Sequence, residues 1–244
     1  MVKSLIKYTA TILLAVIFFL HSRAQVGEGW EEYKPLKKIH LAIQDGKLQT
    51  FPWDSSESCY HEIGNPVAAS YGYDAGTGTE TFRLVSPGER SEIRVHDNYA
   101  EGSRQFEGYL TVFAPAERQM FFQIWGSASP DNATQMFMRA YDRNNGTLLI
   151  YNRVMDAPEV WSDIYNVELK VNVIHLQEDA GGRIYVFIND KKVLDMEDNY
   201  KDLINTSGNY HKYGCYGTIQ QGYTHASSQW RNVRHFRNGT CSGQ

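Results

Sequence analysis

The sequence predicts an all-β protein, a two-sheet β-sandwich of the jelly-roll kind, and three observations carry that prediction. Segments of alternating side chains recur between residues 90 and 236 at roughly the eight-to-twelve-residue spacing of sandwich strands. Turn chemistry stands between segments, at Asp45-Gly46, Pro87-Gly88, Asn144-Asn145-Gly146 and Asn189-Asp190. No apolar stripe of helical period reaches a useful length. With 244 residues, 42% of them hydrophobic, the chain suits one domain with a sizeable core.

Residues 1–24 carry Lys3 and Lys7, an apolar run from Thr9 to Leu20, and then Ser22-Arg23-Ala24. This is the pattern of a secretory signal peptide, and the run is short for a spanning helix. The expectation is a secreted protein, extracellular or periplasmic, with one domain over 25–244 and no membrane partner. Losing residues 1–24 removes Lys3, Lys7 and Arg23 and no acid, which leaves 21 basic against 28 acidic side chains, a balance of −7. Nonspecific nucleic-acid binding is disfavoured at that charge. A polyanionic partner would need positive charge gathered locally. Cys59, Cys215 and Cys241 allow one disulfide and leave one thiol over, and their spacing fits no metal motif. Four sequons, at Asn132, Asn145, Asn205 and Asn238, matter only in a glycosylating host.

Taken in order, residues 25–57 read as a lead-in with one or two short strands, and Lys37-Lys38 as a solvated pair. Residues 64–80, rich in Gly, Ala, Ser and Thr, read as a loop. Pro87-Gly88 then turns the chain into a strand at 90–96. Alternation on that strand puts Arg90, Glu92, Arg94 and His96 on one face and Ser91, Ile93 and Val95 on the other. Further strands are predicted at 105–113, 119–125, 134–141 and 147–153, the last two joined by the Asn-Asn-Gly turn. Strands at 166–176, 183–196 folded at Asn189-Asp190, 209–218 and 228–236 complete the domain. On the 119–125 strand, Gln119, Phe121, Gln123 and Trp125 share a face; on the 134–141 strand, Arg139 and Tyr141 do.

Three stretches resemble, in order, the signature strands of the alginate lyases of polysaccharide lyase family 7, whose fold is concanavalin A-like. They are Arg90-Ser-Glu-Ile-Arg94, Gln123-Ile-Trp125 and Tyr210-His-Lys-Tyr-Gly-Cys-Tyr216. The resemblance runs from about residue 80 to the end. Jelly-roll lyases of glucuronan and ulvan, and plant citrate-binding proteins, look similar over the same stretch. It implies β-elimination on an anionic, uronic-acid polysaccharide by a monomer without cofactor or metal. Such chemistry needs a neutralised uronate carboxylate, a base for the C5 proton and an acid for the leaving oxygen. Carried over by motif, Arg94 and Gln123 would hold the carboxylate and Tyr216 would be the acid, or both acid and base. Arg90, Glu92, Trp125, Arg139, Tyr141, Lys212 and Tyr210 would line the groove, and Gly214 would leave room for a sugar ring beside Tyr216.

The sequence departs from the family where Trp125 stands in place of the family's catalytic His. An indole accepts no proton, so Trp125 is expected to stack on a sugar and His96 is the nearest candidate for an imidazole from another strand. Loss of the separate base implies a preference for syn substrates, mannuronate-rich alginate or glucuronate polymers, over polyguluronate. His175 reads as structural, and alternation points His211 and Tyr213 away from Tyr216. Two other classes compete: a binding module of the same fold that does no chemistry, which Trp125 favours, and a glycoside hydrolase. The latter needs two carboxylates across the scissile bond, and no Glu-x-Asp-x-x-Glu strand supplies them.

Overall fold

Alternating side chains can bury one face of a strand only against a second layer, and the chain does this with two antiparallel sheets. In the computed structural model the described residues are 26–126, 135–151, 158–177, 182–198 and 208–241. The expected signal peptide, the sequons at Asn132 and Asn205, and the end of the 147–153 strand lie outside them. In chain order the first strands are β1 Glu31–Tyr33, β2 Leu36–Ile43, β3 Gln49–Pro52, β4 Cys59–Ile63, β5 Ala69–Asp74 and β6 Thr79–Val85. There follow β7 Gly88–His96, β8 Gly102–Phe113, β9 Gln119–Gly126, β10 Gln135–Tyr141, β11 Thr147–Tyr151 and β12 Glu159–Ser162. The last are β13 Glu168–Gln177, β14 Gly182–Ile188, β15 Lys191–Asp198, β16 Asn209–Tyr216 and β17 His225–Arg237.

One sheet runs β15-β14-β13-β8-β17-β6-β5-β4, with β1 paired to β17; the other runs β12-β11-β10-β9-β16-β7-β2-β3. Their facing sides form one core that includes Trp230, Tyr71, Phe82, Phe106, Phe122, Ile93 and Tyr213, all buried. The turn residues behave as their chemistry demands: Asn144, Asn145, Gly146, Asn189 and Asp190 all have positive φ, which Asn, Asp and Gly tolerate best.

Several expectations are corrected. The lead-in holds three strands, and β2, eight residues long, pairs with β7. The supposed loop at 64–80 contains β5 and the start of β6, because Ala69 and Tyr71 are buried in the core opposite Leu84 and Phe82. Lys37 is not solvated: it lies between the sheets at 5% exposure, while Lys38 is exposed. The three cysteines are all free thiols. On β9 the strict alternation fails, since the register to β16 and β10 shifts around Phe121. Phe121 therefore joins Phe122 in the core, while Met120 Sδ receives Arg139 Nη2 at 3.8 Å and Tyr151 Oη at 3.9 Å.

Candidate active site

The outer side of the second sheet carries the motif residues, and strand register brings them together. Along β7, Arg90 lies opposite Tyr216, Glu92 opposite Gly214 and Arg94 opposite Lys212 on β16. On the other flank of β7, β2 sets Ala42, His40 and Lys38 against the same three residues. On the far flank of β16, Gln123 lies opposite Lys212 and Trp125 opposite Tyr210. Beyond β9 come Phe137 and Arg139 of β10, then Tyr151 of β11 opposite Phe137.

Glu92 is the hub of this face. Its carboxylate, 1% exposed, accepts from Arg90 Nη1 at 2.8 Å, Lys212 Nζ at 3.0 Å and Gln123 Nε2 at 3.3 Å. Removing a carboxylate from water costs several kcal/mol, and two cations and an amide offset that cost here. Glu92 therefore acts as an internal counter-ion that fixes Arg90, Lys212 and Gln123, and only what these donors have left over can serve a ligand. Gln123 keeps a second amide hydrogen, and Lys212 further ammonium hydrogens.

Arg94 is the cation least committed to Glu92. Its guanidinium stacks on Tyr210 at 4.0 Å and donates to Asn98 Oδ1 at 3.0 Å. Arg90 lies 4.7 Å from the ring centre of Tyr216. Burial pushes the phenol of Tyr216 above its ordinary value, and the positive charge of Arg90 works against that shift. Tyr210 is raised likewise by burial, against Arg94. Trp125 meets Phe137 edge-on at 5.8 Å, Phe137 tilts against Tyr151 at 5.2 Å, and Arg139 covers Tyr151 at 4.6 Å. These rings extend the face beyond β9. Tyr141 takes the guanidinium of Arg143 at 5.6 Å and lies past Arg139, at the end of the row.

Two sequence expectations change here. Gly214 is needed by the backbone rather than by a sugar: at φ +139° a Cβ would lie 2.6 Å from Ser91 O and 2.7 Å from both Glu92 Cα and the Phe82 ring. His96 shares the face but lies at the opposite end of β7, six residues of register from Arg90, which is roughly 20 Å at strand rise from the partner of Tyr216. Burial, then Arg94 and Lys38, lower its pKa.

The imidazole that does reach the hub is His40, which the sequence reading missed. It sits directly across from Glu92, where cross-strand Cβ atoms are about 5 Å apart. It is 7% exposed with its Nδ1 unpartnered, and burial brings its pKa down to about 4 against the pull of Glu92. The alternation of Lys38 and His40 against Ile39 and Leu41 was the available signal. His175, His211 and Tyr213 lie in the interior. Among the described residues no group of His, Cys, Asp and Glu could hold a metal ion, and no helix is long and apolar enough to cross a membrane.

The architecture is the jelly-roll sandwich of the alginate lyases. Family 7 alginate lyase A1-II′, bound to its substrate GGMG, superimposes with a TM-score of 0.59 at 13% identity, covering 84% of this chain and 94% of that one. The alginate lyase from Corynebacterium sp. does so with a TM-score of 0.56 at 15% identity, over 82% and 94%. At such identities the likeness is one of fold. In sequence the chain is similar to a citrate-binding protein of Hevea brasiliensis, 29% identical over 232 residues, which span 92% of this chain and 86% of that one. No protein-family profile matches the chain.

Proposed function

We propose that the protein is a secreted polysaccharide lyase that cleaves a uronic-acid polysaccharide by β-elimination on the face built around Glu92. The observation that carries this reading is the set of cations and phenols registered across β7 and β16, with the Glu92 carboxylate already neutralising part of them. A uronate entering the face meets Arg94 and the spare amide hydrogen of Gln123, and the charge these donors withdraw acidifies C5–H. Tyr216 then serves as the proton carrier. As a phenolate, favoured by Arg90, it takes the C5 proton; as a phenol it returns that proton to the leaving glycosidic oxygen. One carrier suffices when proton and leaving group lie on the same side of the ring, so mannuronate-rich alginate, glucuronan and ulvan are the favoured substrates over polyguluronate. Trp125 and the rings beyond it support neighbouring sugars. His40, held neutral, is the imidazole placed to assist.

The test is the near-ultraviolet absorbance of the unsaturated uronide, followed with polymannuronate, polyguluronate, glucuronan and ulvan. Cleavage of at least one syn substrate, absent in Tyr216→Phe, is expected. Failure on all four would leave the second reading, a jelly-roll module that binds acidic sugars or small carboxylates without turnover. Trp125 in place of a family His, and the citrate-binding relative, favour that reading.

A further inference from the structure

A second polar site lies on the opposite side of β2. The strand sends Lys38 and His40 to the outer face and Lys37 inward, where a cavity of about 260 Å³ opens beside β1, β5, β6 and β17. An engineered cavity of ~150 Å³ accommodates benzene, so this one admits a small organic molecule. Three of its lining residues, Lys37, Trp53 and Glu80, are joined by a hydrogen-bond chain that converges on Glu80. Lys37 Nζ donates to Tyr213 Oη at 3.0 Å, and Trp53 Nε1 donates to Tyr71 Oη at 2.7 Å. Both hydroxyls in turn donate to Glu80, Tyr71 at 2.9 Å and Tyr213 at 2.8 Å.

The chain satisfies Glu80 and leaves donors over. Lys37, which also stacks on Trp53 at 4.2 Å, has ammonium hydrogens beyond the one given to Tyr213. His235 lines the cavity at 3% exposure, and neither of its ring nitrogens has a hydrogen-bond partner. A buried polar side chain left without partners costs free energy, and a ligand that supplies them recovers it. The charged groups of the lining are Lys34, Lys37 and Arg234 against Glu32 and Glu80, an excess of one positive charge. Trp53, Val233, Tyr73 and Pro35 supply apolar wall, which suits a carbon body rather than a bare inorganic anion.

We propose that this cavity binds a small organic monocarboxylate, held by Lys37 and His235 and separate from the outer face. Purified full-length protein would be titrated calorimetrically with acetate, glycolate, acetamide and inorganic phosphate. Saturable binding of one acetate or glycolate is expected, with acetamide inert. Arg94→Ala, on the outer face, should leave it unchanged. Loss of one charge-assisted hydrogen bond in His235→Phe or Lys37→Met should weaken it about tenfold, with near-ultraviolet circular dichroism reporting an intact fold. Should either interior variant fail to fold, the exposed Lys34→Gln at the mouth weakens binding without touching the core. Absence of saturable carboxylate binding, a preference for phosphate, retention of full affinity in the folded variants, or loss with Arg94→Ala would each overturn the proposal.

Discussion

Glu92 decides how the proposed catalytic residues are held, so substitutions around it are the sharpest tests of the proposed function. Glu92→Gln leaves Arg90 and Lys212 with no carboxylate between them. Breaking a buried pair from one side costs about 3 kcal/mol or more, so we expect a clear drop in denaturant midpoint together with lost turnover. Tyr216→Phe removes one hydroxyl from a ring that still packs under Arg90, and should abolish turnover at unchanged midpoint. Arg94→Ala should lower kcat more than it raises KM, by about 100-fold for one transition-state donor. The phenol also sets a pH dependence. Because the folded site holds Tyr216 above its ordinary value of 10.0, phenolate-dependent cleavage should climb as pH rises from neutrality. Arg90→Met should push that limb higher still, since it removes the charge that favours the phenolate. A limb that moved down, or stayed in place, would remove Tyr216 from the role of base. His40→Ala should reduce kcat more than His96→Ala, because only His40 faces Glu92.

At the scale of single strands, β16 is the element on which the site depends, and Gly214 is its weak point. Gly214→Ala places a methyl against the β7 backbone at a φ that L-residues rarely adopt; a lower melting temperature and a displaced Tyr216, read as lost kcat, are expected. The central strands β7 and β16 were legible in the sequence because each alternates between two unlike faces, and β9 because it is a short aromatic-rich run that carries Gln123 and Trp125 two residues apart. Residues 64–80 were not, because Ala69, Ser70 and Gly72 look like loop chemistry. Their strand character comes from pairing with β6 and from the bond Ser91 Oγ donates to Ser70 O at 2.7 Å, which are tertiary facts. His40 was hidden for a related reason: nothing local announces that β2 pairs with β7. The shift at Phe121, and with it the outward turn of Met120, likewise belongs to the partner strands rather than to β9.

Across the whole molecule, burial of histidines gives stability a definite pH dependence. Burial is the leading cause that lowers the pKa of His40 to about 4 and of His211 to about 3, and it holds His235 well below its ordinary value. Each is neutral when folded but takes up a proton near 6.5 when unfolded. Their contribution is therefore complete above that value and is lost progressively as pH falls below it, down to about 4 for His40 and about 3 for His211. Thermal unfolding followed between neutrality and that acid limit should show a falling melting temperature, and His40→Phe should flatten part of the fall. A melting temperature constant over that range would contradict the burial of these rings.

The row of Arg90, Arg94, Lys212 and Lys38 sits on a body whose net charge is −4 over the full sequence and −7 without residues 1–24, and this gives the protein an unusual relation to ionic strength. A long polyanion approaching from afar meets repulsion before it meets the row. Added salt first screens that distant field, which reaches beyond the ~10 Å Debye length of 0.1 M solution, and only then the close contacts. Capture of polymer should therefore pass through a maximum at moderate salt, whereas a short oligosaccharide, seated wholly within the row, should be captured ever more slowly as salt rises.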